Sequence, residues 1–185
     1  METRIYIVGA PGSGKSFLAA RLAKQWGLDW HDLDDDALTS LGPSERTAQY
    51  ARLRTSPAWI CEAARIGLER EWVATADLVI LLMTPRPWRV VRILWRSLLK
   101  CAGVRFRGQL GRDTYGAIRY RLGETWFYQE RRQTPFLAGC SMWINKIHEF
   151  SSNTEAFEWV ISQDRSQTPR DEEPTRKSRS KIPGS

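Results

Sequence analysis

Eight residues near the amino terminus have the clearest potential for chemistry. The run from Gly9 to Ser16 reads Gly-Ala-Pro-Gly-Ser-Gly-Lys-Ser and fits the pattern G-x-x-x-x-G-K-[S/T] without a mismatch. Glycines allow the backbone to curl so that successive N–H groups surround one phosphate. Lys15 is then expected to reach the β- and γ-phosphates, and the Ser16 hydroxyl to ligate magnesium. The pattern predicts binding of ATP with Mg²⁺ at Gly9, Ala10, Pro11, Gly12, Ser13, Gly14, Lys15, Ser16 and Phe17.

Carboxylates form a second candidate group. Asp34 stands 19 residues after Lys15, at the end of an apolar stretch that we expect to be a strand. In that position it would receive the proton of an acceptor hydroxyl, or hold magnesium through water. The alternative for Asp34 is a solvated acidic turn or a helix cap, and Asp32 and Asp36 are weaker candidates for its role. Glu62 could polarise a water near the metal, although a position on a surface helix explains it equally well.

Arginines form the third group. Arg92 and Arg96 lie one helical turn apart and would clamp phosphates or stack on an adenine, for which a planar guanidinium is suited. An ordinary exposed basic helix face is the alternative for this pair. Arg112, Arg119 and Arg121 could close over the transferring phosphoryl group, or each could be a solvated surface charge.

These residues must be positioned by elements that alternate along the chain. Residues 57–72 are ambiguous, because a strand over residues 59–61 and a helix towards Trp72 both fit. Apolar runs predict strands at 5–8, 28–33, 77–83 and 142–147, and helical spacing predicts helices at 15–26, 43–54, 87–100, 117–132 and 154–161. Strands that alternate with helices indicate an α/β fold with a parallel sheet.

The helix expected at 87–100 is amphipathic. One face carries Val91, Leu94, Trp95 and Leu98, and the other carries Arg89, Arg92, Arg96 and Lys100. We expect the tryptophans of the chain to pack mainly in the core. The following stretch, residues 101–116, is rich in glycine and arginine and is predicted to be a mobile loop.

Length and charge limit the remaining possibilities. The chain of 185 residues has a net charge of +7, and residues 86–132 contribute twelve basic and three acidic groups. Such a segment indicates a polyanionic partner, either nucleotide phosphates or a nucleic-acid backbone. We expect one domain over residues 1–162 and a disordered polar tail over 163–185. No signal peptide is visible and no apolar run approaches the roughly 20 residues that span a bilayer, so we expect a cytoplasmic protein without a membrane partner.

Four stretches together resemble small kinases related to adenylate and shikimate kinases, and most of all the bacterial DNA topology modulation proteins. They are the phosphate loop, the run His31-Asp-Leu-Asp34, the segment 78–85 with its following Arg92 and Arg96, and the stretch from Arg112-Asp113 to Thr134-Pro135. The resemblance covers residues 4 to about 150. It implies a three-layer P-loop NTPase fold of the nucleoside monophosphate kinase type, with a central parallel sheet and a basic helical lid at about residues 92–121.

These observations predict an ATP-dependent kinase that transfers the γ-phosphoryl group to a small acceptor, with a nucleoside or nucleotide as the leading class. Lys15, Asp34, Arg96 and Arg112 are the predicted catalytic residues, Arg92 joins the nucleotide site, and Ser16 and Asp34 would hold the metal. One alternative is a nucleic-acid-associated NTPase or regulator that uses residues 86–132. Another is a nucleotide-binding protein without turnover. Either a monomer or a homodimer is compatible with the sequence.

Overall fold

The computed structural model describes residues 3–34, 40–64, 69–102 and 114–167, without the side chains of Glu69 and residues 165–167. In these residues five parallel strands form one sheet in the order β2-β3-β1-β4-β5. The strands are β1 (Arg4–Gly9), β2 (Trp30–Asp32), β3 (Trp59–Ala63), β4 (Leu78–Leu82) and β5 (Ile147–Phe150). The strand that leads into the phosphate loop, β1, therefore lies in the centre.

Helices connect these strands, and the local sequence accounts for several of their ends. The α-helices are α1 (Lys15–Trp26), α2 (Pro43–Thr55), α3 (Glu69–Thr75), α4 (Arg86–Cys101), α5 (Tyr115–Trp126), α6 (Thr134–Gly139) and α7 (Asn153–Gln167). A π-helical turn at Gln129–Gln133 precedes α6, and a 3₁₀ helix at Ser141–Lys146 follows it. Gly27 ends α1 in the left-handed conformation, and the Thr114 hydroxyl caps α5 by accepting a hydrogen bond from the Ala117 N–H.

The sheet is covered on both faces, which gives three layers. Alternate residues of β1 point to opposite sides, as a pleated strand requires. Tyr6 and Val8 belong to a core cluster with Trp72 of α3, whereas Ile5 and Ile7 belong to a second cluster that includes residues of α1 and α7. Both faces of the strands that carry the site are thus buried. This arrangement confirms the predicted three-layer α/β fold.

Several predicted elements differ from those in the structure. Residues 59–63 form β3, which resolves the ambiguous segment, and β2 is shorter than the predicted 28–33. The predicted strand at 142–147 is wrong: the 3₁₀ helix continues through Lys146, whose Nζ donates to the carbonyls of Ala74 and Ala76, and β5 begins at Ile147. The predicted helix at 117–132 is interrupted: α5 ends at Trp126, and the π-helical turn at Gln129–Gln133 follows it.

The carboxyl-terminal helix is longer than predicted. We expected disorder from residue 163, but α7 continues to Gln167. Trp26 of α1 contributes to this, because its Nε1 donates a hydrogen bond of 3.1 Å to Asp164 Oδ2. The remainder of the predicted tail, residues 168–185, lies outside the described residues, as do residues 103–113 of the predicted mobile loop and lid.

Helix α4 turns its tryptophans towards solvent, so the expectation that they pack in the core is wrong for Trp88 and Trp95. The side chains of Val91, Leu94, Trp95 and Leu98 are exposed, whereas Arg89, Ile93 and Ser97 are buried. The polar side of the helix faces the phosphate loop, where Arg92 forms hydrogen bonds, and this contact fixes which side points outwards. Within the described ranges, no helix is both long and apolar enough to cross a membrane.

Candidate functional site

The phosphate loop connects the end of β1 to the start of α1. Its backbone turns through the left-handed region at Gly12 (φ 80°) and Gly14 (φ 97°), which residues with a Cβ rarely adopt. Inside the turn the Ser13 N–H donates to the Ala10 carbonyl at 3.1 Å. Helix α1 begins at Lys15, directly after this turn. The positive end of its dipole therefore faces the space that the loop encloses.

The carbonyl groups of this loop accept hydrogen bonds from side chains outside it. Thr84, which follows β4, donates its hydroxyl to the Ser13 carbonyl at 2.9 Å. Arg92 of α4 donates from one terminal nitrogen to the carbonyls of Gly12 and Ser13, at 3.3 and 3.1 Å. Because these carbonyls are bonded to external donors, the curl of the loop is held from outside.

A third donor comes from α5. Thr125 is completely buried, and its hydroxyl donates to the Pro11 carbonyl at 2.9 Å. Neither Thr84 nor Thr125 was a candidate from sequence, since a buried threonine has no distinguishing local pattern. Donors from the end of β4, from α4 and from α5 thus hold the consecutive carbonyls of Pro11, Gly12 and Ser13.

The packing around the loop glycines is equally close. A Cβ on Gly9 would stand 2.8 Å from the Ser13 hydroxyl, and one on Gly12 would stand 2.6 Å from the Arg89 carbonyl. A Cβ on Gly14 would stand 2.9 Å from the side-chain amide of Asn153, the first residue of α7. Asn153 therefore belongs to the site, although no local sequence pattern distinguishes it.

Lys15 folds back over the loop. Its side chain is only 9% exposed, and its Nζ lies 3.4 Å from the Ala10 carbonyl, a long contact for a hydrogen bond. Ser16 follows on the first turn of α1, partly buried, and Phe17 is exposed. An ammonium group and a helix amino terminus at one loop form a site suited to a polyphosphate.

The candidate carboxylates lie at the carboxyl edge of β2 and β3. Asp32 of β2 pairs in register with Glu62 of β3, which in turn pairs with Ile7 of β1. The Asp34 N–H donates to Asp32 Oδ1 at 3.0 Å, and the Asp34 carboxylate accepts a hydrogen bond from the Ala64 N–H. Asp34 thus lies two residues beyond the end of β2, and β3 separates β2 from the strand of the phosphate loop.

Glu62 lies closer to the strand of the phosphate loop than Asp34 does. Adjacent strands are about 4.8 Å apart, so Glu62 is one strand and Asp34 two strands away from β1. Glu62 is 1% exposed, so its alternative placement on a surface helix is wrong. Alternation along β3 directs it away from Cys61 and Ala63, towards the sheet face that α1 covers.

The predicted arginines are distributed unevenly. Arg92 contacts the loop, and Arg96 follows one turn later on α4, partly buried. Arg119 and Arg121 lie on α5, the first exposed and the second partly buried, and Arg112 lies outside the described residues.

Arg89 is a basic residue of the site that the sequence analysis placed on the basic face of this helix without assigning it a role. It is 7% exposed, and its first-turn position on α4 places its main chain against Gly12. Burial lowers the pKa of the Arg89 guanidinium, and the neighbouring positive charge of Arg86 lowers that pKa further. A buried cation beside the loop adds to the potential that attracts an anion.

Comparison with known proteins extends these observations. No protein-family model and no curated protein matches the sequence. Solved structures do match. A shikimate kinase from Acinetobacter baumannii in complex with shikimate has a TM-score of 0.51 and 15% identity, covering 91% of this chain and 96% of that one.

A deoxyadenosine kinase from M. mycoides with bound dATP has a TM-score of 0.50 and 12% identity, covering 87% and 98% of the two chains. An uncharacterized protein from Eubacterium ventriosum has a TM-score of 0.54 and 13% identity, covering 88% of this chain and 98% of that one. The chain has the fold of the P-loop kinases. At these identities the likeness concerns the fold, and the finer resemblance to DNA topology modulation proteins stays a prediction.

In this P-loop kinase fold, Gly12→Ala is expected to lower ATP affinity at least about tenfold, because it combines left-handed backbone strain with a clash against the Arg89 carbonyl. Calorimetric titration with Mg-ATP measures the change. Gly27→Ala is the matched control, since Gly27 has a φ of 65° but no atom within 4 Å of the added Cβ. The steric explanation fails if Gly27→Ala weakens ATP binding as much as Gly12→Ala does.

Thr125→Val is expected to lower ATP affinity several-fold, because the loss of the donor leaves the Pro11 carbonyl unpaired, at a cost of about 1 to 3 kcal/mol. The same titration, with circular dichroism to verify folding, measures it. Thr134→Val removes a hydroxyl that donates locally to Gln129 and should leave ATP affinity unchanged. A folded Thr125→Val protein that binds ATP like the wild type would contradict the role assigned to this hydrogen bond.

Proposed function

We propose that this chain is a Mg²⁺-dependent phosphotransferase that passes the γ-phosphoryl group of ATP to a small acceptor, with a nucleoside or nucleotide as the expected class. The observation that carries the proposal is the phosphate loop, whose carbonyls are bonded to Thr84, Arg92 and Thr125. Support also comes from the structural neighbours, because one is a kinase with bound shikimate and another a kinase with bound dATP.

The nucleotide phosphates would be bound by the loop amides and by Lys15. Phosphoryl transfer requires mainly positioning and positive charge around the moving group. Lys15 lies at the loop and Arg92 beside it, and Arg96 follows on the same face of α4. In the proposal Arg96 and Arg112 neutralise charge that develops on the transferred group.

Magnesium would be held by oxygen ligands. The Ser16 hydroxyl at the start of α1 and the carboxylates at the edge of β2 and β3 are the hard oxygen donors that Mg²⁺ prefers, and the phosphates would complete its shell. When bound, the ion offsets negative charge on the β- and γ-phosphates. The sequence predicts Asp34 as the carboxylate of this set. The proposal instead assigns the metal to Glu62, whose strand is nearer to β1, and keeps Asp34 for the acceptor.

The acceptor would be oriented by Asp34. Its carboxylate is positioned through the Ala64 N–H, at the sheet edge where ligands bind in open α/β folds. A carboxylate fixed in this way can accept the proton of an attacking hydroxyl.

The nucleic-acid alternative finds less support. Much of the basic charge in α4 is turned towards the phosphate loop, since Arg89 is buried and Arg92 is bonded to loop carbonyls. A cytoplasmic location stays an expectation from the sequence.

A screen for acceptors tests the proposal directly. Purified protein with Mg-ATP is expected to form ADP when pools of nucleosides, nucleotides or small polyols are added, and Lys15→Ala should lower that rate about a hundredfold or more. Lys24→Ala, an exposed lysine at the other end of α1, is the matched control and should behave as wild type. ADP formation that is independent of every pool would contradict the kinase assignment, and ATP binding without any turnover would favour the binding-only alternative.

The two carboxylates can be separated by their magnesium dependence. Asp34→Asn is expected to lower turnover about a hundredfold or more with the same Mg²⁺ requirement, because it removes the group that accepts the proton. Glu62→Gln is expected to raise the Mg²⁺ concentration needed for half-maximal rate. A raised Mg²⁺ requirement in Asp34→Asn alone would assign the metal to Asp34 and exclude Glu62.

A further inference from the structure

The outward side of α4 carries an apolar strip that no described residue covers. The strip consists of Trp88, Val91, Leu94, Trp95 and Leu98, whose exposed fractions range from 48% to 63%. At about 100° per residue these five side chains lie within a sector of about 120° of the helix, and that sector contains no charged residue. An amphipathic helix of a soluble protein normally buries such a face.

The helix cannot turn the strip inwards without losing contacts of the phosphate loop. Arg92 is bonded to the carbonyls of Gly12 and Ser13, and the Arg89 main chain packs against Gly12. Ile93 and Ser97 continue the buried side along the helix. The exposure of the strip therefore follows from how α4 is anchored.

We propose that the strip packs against the same strip of a second copy of this chain, as an antiparallel helix pair about a twofold axis near Ile93. Trp88 and Leu98 are each five residues from Ile93, and Val91 and Trp95 are each two residues from it. In an antiparallel pair each tryptophan would therefore face an aliphatic residue of the other copy. Large residues opposite small ones is the arrangement that allows packing without gaps, and isologous contacts of this kind form the commonest oligomers.

Area and charge agree with this occupant. The two tryptophans, each about three-fifths exposed, would alone remove roughly 200 to 300 Å² per copy from solvent, and the three aliphatic side chains add to it. This supplies the apolar centre of an interface whose usual size is about 800 Å² per partner. The basic residues of α4 lie outside the strip, so the pair places no charged residue in its apolar centre.

The oligomeric state of the full chain tests the proposal. Sedimentation velocity over a range of concentrations is expected to show a dimer, and Leu94→Glu, which places two carboxylates near the axis, should weaken dimerisation at least about tenfold. Ile144→Glu is the matched control, because Ile144 is similarly exposed, at 57%, but lies in the 3₁₀ helix. A monomer at all concentrations, or a dimer that Leu94→Glu leaves intact, would overturn it.

Cross-linking tests the antiparallel register. In a Cys101→Ser background, a mixture of Trp88→Cys and Leu98→Cys proteins is expected to form a disulfide between the two variants, while neither variant forms one alone. Cross-linking of each variant with itself would overturn the antiparallel pair.

A monomer that co-sediments with vesicles containing anionic phospholipid would assign the strip to a membrane surface and overturn the proposed packing against a second copy. In calorimetry, the Leu94→Glu protein should bind Mg-ATP with the wild-type affinity. A failure of the dimer proposal can therefore be distinguished from a failure of the proposed kinase activity.

Discussion

The shape of the phosphate loop depends on where its carbonyl groups find hydrogen-bond donors. A loop whose N–H groups are to meet an anion must direct its carbonyls elsewhere, and a polar group left without a partner is costly. Here the donors are Thr84, Arg92 and Thr125, from the end of β4, from α4 and from α5. The loop is consequently held by parts of the chain between 71 and 114 residues distant in sequence.

This anchoring determines the exterior of the molecule as well. Since Arg92 and the Arg89 main chain hold α4 against the loop, the helix has no freedom to bury its tryptophans. The same helix that holds the phosphate loop therefore presents an apolar strip to solvent. One constraint, the supply of donors to the loop, accounts for both observations.

The sequence predicts the fold well because its signals are local. A β-branched run before a glycine-rich loop and a helical pattern after it are sufficient to predict β1, the loop and α1. The strand at 142–147 was wrong because Met142 and Ile144 alternate like strand residues although both are exposed in a 3₁₀ helix. The direction of α4 could not be predicted either, since burial of Arg89 depends on a tertiary contact with Gly12.

Residues of the site that the sequence missed share the same physical reason. Thr125 and Asn153 contact the loop across more than 100 residues, and such contacts leave no periodic pattern. Glu62 is only a weak candidate from sequence, because its position depends on strand order. It becomes the nearer carboxylate once β3 is known to lie between β2 and β1.

The same strand order divides the site into halves of opposite charge. On one side of β1 lie β3 and β2, with Glu62, Asp32 and Asp34 at their ends, and on the other side lie β4 and α4, with the arginines. Carboxylates suit a metal ion and an acceptor hydroxyl, whereas guanidinium groups suit phosphates. A phosphoryl group bound at the loop would then have its cationic support on one side and its acceptor on the other. Because the two sets of groups reach β1 from opposite sides, neither would have to displace the other in the proposed transfer.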